Sequence, residues 1–235
     1  MKLAALLKAE RDRLDAVAAS LGRECAIGSD NLVEQLPKIC EFAMAYHQAY
    51  AQYLDAVLPQ QPRPIQCRPA CGNCCHHYPM SVEPFELLYL YNELRQKDSL
   101  LSVVEACQMR TTMFESLYNA RFEKNLNEDE AEDQALHDYF AKWWSCPFSD
   151  KAGDCRIYPF RPVSCRMYFS ETDPQYCKPD FLQTDKNDSY IVYMPDTIEE
   201  ALYGITEHYD MLDLPESFFG GLLAVNGYEG VLSDV

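Results

Sequence analysis

The sequence predicts a mainly α-helical protein with two irregular cysteine-rich loops and little β structure. Three observations predict it. Apolar residues recur three and four positions apart over most of the chain, the mark of helices that bury one face. Residues 65–80 and 146–179 break that period with prolines and glycines. Eight of the eleven cysteines lie in those two stretches.

Leu3, Leu6, Leu7, Leu14, Val17 and Leu21 form an apolar stripe among charged residues, and Gly22 follows as a stop, so a first helix is expected over residues 2–21. Asp30 and Asn31 open a second, with Asn31 and Glu34 spaced as a capping box and a stripe running from Leu32 through Tyr46 and Tyr50 to Val57. Pro37 falls inside it and predicts a kink or a later start.

Residues 58–64 hold three prolines and are expected to be extended, the one clear linker. They divide an N-terminal helical segment, 1–57, from a cysteine-cluster domain, 58–235, unless the two form one continuous domain. Ser81 caps a helix ending near Gln96 with Pro84 in its first turn, Asp98 or Ser99 starts another, and a third runs from about Asn127 to Trp144. Ser189–Met194 is β-branched and aromatic enough for a short strand. Thr197 with Glu200 predicts a capped helix to about Leu212; no element is assigned to the tail from Pro215.

With 235 residues the chain can bury a full core and needs no covalent staples to fold. The first apolar run is too short for a signal-peptide core, and no uncharged stretch reaches membrane-span length. A reducing, cytoplasmic location is therefore expected, where clustered thiols bind metal more often than each other. The formal charge of −17 disfavours nucleic acid, whose binding rests on Lys and Arg, and an anionic membrane surface.

The chemistry concentrates in Cys67-Arg-Pro-Ala-Cys71-Gly-Asn-Cys74-Cys75-His76-His77. Thiolates two or three residues apart can wrap one soft or borderline metal from a tight turn. Gly72 permits positive φ, and Asn73 tolerates it. Adjacent Cys74 and Cys75 are poorly placed to serve a single ion: either they face two centres, or one binds while the other packs or reacts. The second group, Cys146, Cys155, Cys165 and Cys177, is looser, with steps of nine, ten and twelve. Eight thiols suffice for two four-ligand sites, or for one iron–sulfur cluster with four to spare.

Cys67-x3-Cys71-x2-Cys74-Cys75, followed by Cys146-Pro-Phe, Gly153-x-Cys155-x-Ile-Tyr and Arg161-Pro-x-x-Cys165-Arg166, resembles the YkgJ-type cysteine-cluster family, a zinc- or iron-chelating domain, over residues 67–177. The family is related to flagellin lysine N-methylases, which carry a [4Fe–4S] cluster used in methyl transfer. The resemblance implies that Cys67, Cys71, Cys74, Cys75, Cys146, Cys155 and Cys165 occupy metal-ligand positions, and Cys177 is taken as a metal ligand with them. It implies that Arg161 and Arg166 serve as donors or counter-charges to an anionic cluster.

The expected function is therefore binding of an iron–sulfur cluster, most simply [4Fe–4S], for electron transfer or cluster-dependent methyl transfer. Electron transfer would call for a docking face for a protein partner, whereas an enzyme would need a substrate pocket beside the centre. The alternative is a structural zinc module with an interaction role, in which His76 or His77 can replace a thiol. Cys67, Cys71 and Cys74 also have the spacing of radical S-adenosylmethionine enzymes, but Asn73 stands where those usually place an aromatic residue. Cys25, Cys40 and Cys107 are read as structural thiols, and His47, His137 and His208 as surface or satisfied core residues.

Overall fold

The computed structural model describes residues 3–21, 30–68, 70–95, 100–122, 126–182, 184–206, 214–215 and 217–227. The helices are α1 (Leu3–Ala18), α2 (Asp30–Val57), α3 (Pro84–Leu94), α4 (Leu100–Phe122), α5 (Glu128–Ala141), α6 (Asp196–Thr206) and α7 (Phe218–Gly227). Strands β1 (Tyr168–Ser170) and β2 (Ser189–Ile191) pair antiparallel, with Phe169 opposite Tyr190. The mainly α class is observed.

The core follows from the stripes. Leu14 of α1, Leu32, Ile39, Phe42 and Tyr50 of α2, Leu87 and Leu90 of α3, Cys107 of α4, Ile198 of α6 and Phe218 of α7 are fully or almost fully buried in one apolar cluster. Phe42 and Tyr46 each meet the Phe85 ring edge-on, at 5.1 and 5.3 Å, joining α2 to α3. Helix α2 runs unbroken through Pro37, so its packing tolerates the missing donor.

Local signals placed most boundaries and missed some. Helix α3 is capped by Glu83, not Ser81: Glu83 and Glu86 form a reciprocal capping box with Pro84 at the first position. Ser81 instead takes a left-handed backbone (φ 54°). Asn127 caps α5 in a second box with Glu130. Helix α5 stops at Ala141, three residues before the expected end, because Trp143 turns left-handed (φ 55°). Helix α6 starts at Asp196, which puts Thr197 inside the first turn and not at the cap.

The segment expected to be extended begins with a 3-10 turn at Leu58–Gln60, and β1 was not predicted. Both are short elements, held by their neighbours more than by propensity. Cys25, His208, Gly22, Asp98, Ser99 and Leu212 lie outside the described residues.

The tail folds as α7 against α3 and α4, at close quarters. A Cβ on Gly221 would stand 2.4 Å from Leu87 Cδ1 and 2.8 Å from the Pro215 carbonyl oxygen. Overpacking against backbone costs about 1–3 kcal/mol. Gly221→Ala is therefore expected to lower Tm by several degrees in a thermal melt while leaving the cysteine loops unaltered in sequence; an unchanged Tm would refute the close approach.

Candidate metal centre

The first cysteine loop turns as its residues dictate. Gly72 takes φ 65°, the left-handed conformation its missing Cβ allows, and lets the chain reverse into a short 3-10 helix, Asn73–His76. The Cys75 amide donates to the Gly72 carbonyl at 3.0 Å, and that of His77 to Cys74 at 3.2 Å. Asn73 needs no positive φ; its side-chain amide donates to the Pro174 carbonyl and ties this loop to the turn that ends at Cys177.

The second loop is a hairpin and two turns. The Asp150 carboxylate accepts from the amides of Ala152 and Asp154, and the Arg156 amide donates to the Phe148 carbonyl at 2.9 Å, closing a hairpin that sets Cys146 near Cys155. Its Gly153 meets the first loop: a Cβ on Gly72 would lie 3.6 Å from the Gly153 carbonyl oxygen. The Val163–Cys165 turn is held from beneath by a buried carboxylate. Glu86 Oε1 accepts from the Val163 amide at 2.8 Å and stands 2.6 Å from His47 Nε2. Glu86 is 1 % exposed and His47 6 %, so a helix-frame pair carries part of the loop. His47 is indeed a satisfied core residue, but nothing in the spacing of His47, Glu86 and Val163 announced this link.

The eight candidate thiols come together around two cavities. One, of about 40 Å3, is lined by Cys74, Cys75, Cys146, Cys155 and Cys165, with Arg161 and Ser164. The other, of about 60 Å3, is lined by Cys67, Cys71, Cys74 and Cys177, with residues of β1 and β2. All eight are free thiols, and Cys67 is the exposed one. Among the described residues no three Cys, His, Asp or Glu side chains stand as a ready-made cage for one ion. The thiols form cavity walls and do not meet at a point.

Burial without a metal keeps most of these thiols protonated: it pushes Cys146 up to about 12 and raises Cys155 and Cys165. Donors oppose it at particular sulfurs. The Phe148 amide favours the thiolate of Cys146, the Ile157 amide that of Cys155, a Ser170 backbone contact that of Cys67 and the Ser170 hydroxyl that of Cys177. Cys75 is drawn down to about 7, chiefly by its contact with the Cys74 thiol and also by Arg161.

Arg161 and Ser164 line the 40 Å3 cavity, and Arg161 Nε and Ser164 Oγ are buried with no hydrogen-bond partner among the described residues. Arg161 also lies over the Tyr158 ring at 4.2 Å. Arg166 works differently: its guanidinium donates to the carbonyls of Arg161, at 2.7 Å, and Pro159, at 3.0 Å, and so braces the loop from behind.

The two histidines are engaged by aromatic rings. His76 stacks on Trp143 at 3.8 Å and its Nδ1 meets the Trp144 carbonyl at 2.9 Å. The left-handed turn at Trp143 delivers that ring. His77 lies between Phe140, at 3.9 Å, and Tyr168, at 5.3 Å, and burial draws it down to about 4, keeping it neutral. Cys40 and Cys107 are buried and line neither cavity. A cleft of about 680 Å3 adjoins the smaller cavity and shares His77, Pro79, Ser164 and Tyr168 with it. Tyrosines 46, 78, 193 and 203, methionines 80 and 194, and Glu199 line its far side.

A helical frame that presents thiols from two loops around enclosed cavities defines a cysteine-cluster, metal-binding class of protein. The comparison with family models agrees: the model CxxCxxCC, described as "Putative zinc- or iron-chelating domain", matches residues 66–187. That is just over half of the chain, and the protein belongs to this family. No curated protein and no solved structure matches it. Among the described residues no helix is long and apolar enough to cross a membrane.

Proposed function

We propose that this is an iron–sulfur protein whose cluster, most simply [4Fe–4S], is held by Cys75, Cys146, Cys155 and Cys165. One observation carries the reading: the thiols of both loops line one cavity together with Arg161 and Ser164, whose Nε and Oγ are buried without a hydrogen-bond partner among the described residues. A buried donor without an acceptor costs about 1–3 kcal/mol. An anionic cluster would offset that cost, since its sulfurs accept hydrogen bonds and its charge would answer the guanidinium. The donor set fits the group: four soft thiolates are an iron–sulfur ligand set, and the amides at Cys146 and Cys155 favour the thiolate form that a metal requires.

When bound, such a cluster supplies one-electron chemistry. The chain's own residues would then exclude water and set the field: His77, held neutral between two rings, screens the centre from the cleft, and Arg161 balances its charge. The adjoining cleft supports a role in which a substrate approaches the centre, as cluster-dependent methyl transfer requires, whereas electron transfer would call for a docking face for a protein partner. The excess of acidic residues disfavours a nucleic-acid partner or an anionic membrane, and a reduced-thiol centre suits a cytoplasmic, reducing environment.

The second reading is structural zinc, which an all-thiol set holds equally well. Metal and acid-labile sulfide analysis with visible absorption on anaerobically purified protein separates them. The expected result is a brown protein that contains iron and acid-labile sulfide and absorbs broadly in the visible. A colourless protein with stoichiometric zinc and no sulfide would reject the iron–sulfur reading.

A further inference from the structure

We propose that the eight thiols form two metal centres, divided at the peptide bond between Cys74 and Cys75. The inner centre takes Cys75, Cys146, Cys155 and Cys165. The outer takes Cys67, Cys71, Cys74 and Cys177. This rests on the metal-binding reading above but not on which metal is bound.

The division begins with the local backbone. Cys74 and Cys75 are consecutive in the 3-10 helix Asn73–His76, where each residue advances about 120° around the axis, so adjacent side chains diverge. Five thiols line the inner cavity and four the outer, with Cys74 counted in both; giving Cys74 to the outer one leaves four for each. Cys75 lines the inner cavity alone; Cys74 lines both, and it is the fourth thiol of the outer one. Four sulfurs are a complete ligand set for zinc and for a cubane cluster alike.

The two sets also sense separate surroundings. Cys67 neighbours Cys71 and Cys177, and Cys177 neighbours Cys71. Cys165 neighbours Cys146, Cys75 and Cys155, and Cys155 neighbours Cys75. Cys74 borders both sets: it meets Cys75 and Cys165 of the inner one and lines the outer cavity with Cys67, Cys71 and Cys177.

Each centre has its own scaffold and its own donors. The inner one sits on the Cys146–Cys155 hairpin and the Val163–Cys165 turn, brought to the first loop where Gly72 meets Gly153. The outer one sits against the β1–β2 ribbon. There the Gln66 amide donates to the Ser170 carbonyl at 2.8 Å, and Asn73 reaches the Pro174 carbonyl. Ser170 lines the outer cavity with Cys67 and Cys177, as Phe148 and Ile157 line the inner one with Cys146 and Cys155. Exposure differs as well: Cys67 is open to solvent, whereas the four inner thiols are all half-buried, so the outer centre should release metal first.

The test is metal content per folded chain, with native mass spectrometry of the unaltered protein as an independent measure. The variants are an outer one, Cys67→Ser with Cys71→Ser and Cys177→Ser, and an inner one, Cys146→Ser with Cys155→Ser. All are loaded anaerobically with iron and sulfide, and separately with zinc. The division predicts that the outer variant keeps about half the metal and that the inner variant, if folded, keeps the other half. It predicts a wild-type mass carrying two centres and chelator release in two phases, the first of them absent from the outer variant.

An outer variant that keeps all its metal, or loses all of it while helical by circular dichroism, overturns the division, as does a wild-type mass with one centre. If the inner variant fails to fold, the outer variant and the wild-type mass still decide. Halving with zinc in a protein that takes up no iron and sulfide leaves the division standing and rejects the iron–sulfur reading. A protein that takes up neither metal rejects both.

Discussion

Cys165→Ala is expected to abolish metal binding at the inner cavity and to loosen the loop around it. Cys165 lies at the end of the Val163–Cys165 turn, enclosed among Cys75, Cys146 and Cys155. In the proposed inner centre it would be one of four ligands, so its loss would open the shell. Because metal affinity in such loops is also folding free energy, the effect reaches beyond the missing sulfur. The 146–165 segment has few apolar side chains of its own, chiefly Phe148, Ile157, Phe160 and Val163. Without a centre to join them, its hairpin and turns rest on those residues and on Glu86. Metal analysis should show the loss, and limited proteolysis should show faster cleavage between residues 150 and 160. Full retention of inner-centre metal would remove Cys165 from the ligand set.

Glu86→Ala is expected to be the most damaging change outside the cysteines. Its carboxylate serves the His47 ring, the Val163 amide and, through Oε2, the Glu83 amide of the α3 cap. Removing it leaves buried donors without acceptors, each costing about 1–3 kcal/mol, so a total of about 3 kcal/mol is a fair scale. At roughly 2–4 °C per kcal/mol for a chain of this size, Tm should fall by on the order of 10 °C. The change should also weaken metal binding although every thiol remains, because Val163 is two residues from Cys165. Glu86→Gln keeps the shape and one acceptor and should fall between wild type and Glu86→Ala in both measurements. If Glu86→Ala lowers Tm but leaves metal affinity at the wild-type value, the carboxylate supports the helices alone and not the loop.

Sequence patterns reached the helices because helical order is local. The stripe through Leu32, Tyr46 and Tyr50 and the Asn127–Glu130 pair each act within a few turns of one segment. Where neighbouring residues compete for a local role, the outcome was not legible. Ser81 and Glu83 both offer caps, and Glu83 prevails because its box with Glu86 satisfies two backbone donors, one of them its own. Strand β1 was hidden because three residues carry too little pattern; pairing with β2 and the 2.8 Å bond from the Val192 amide to the Met167 carbonyl hold it in place.

The chain by itself determined that eight thiols sit in two proline-broken loops on a helical frame, and that Gly72 makes the tight turn. It also posed the problem of Cys74 and Cys75, since adjacent side chains cannot both turn to one point. Only the tertiary structure decided which thiols share a cavity. It also brought Arg161 and Ser164 to the inner cavity, stacked both histidines on aromatic rings and tied Glu86 to the second loop. The physical reason is range. Turn geometry depends on a residue and its neighbours, but a cavity wall is assembled from segments tens of residues apart, whose approach is set by the packing of the helices between them.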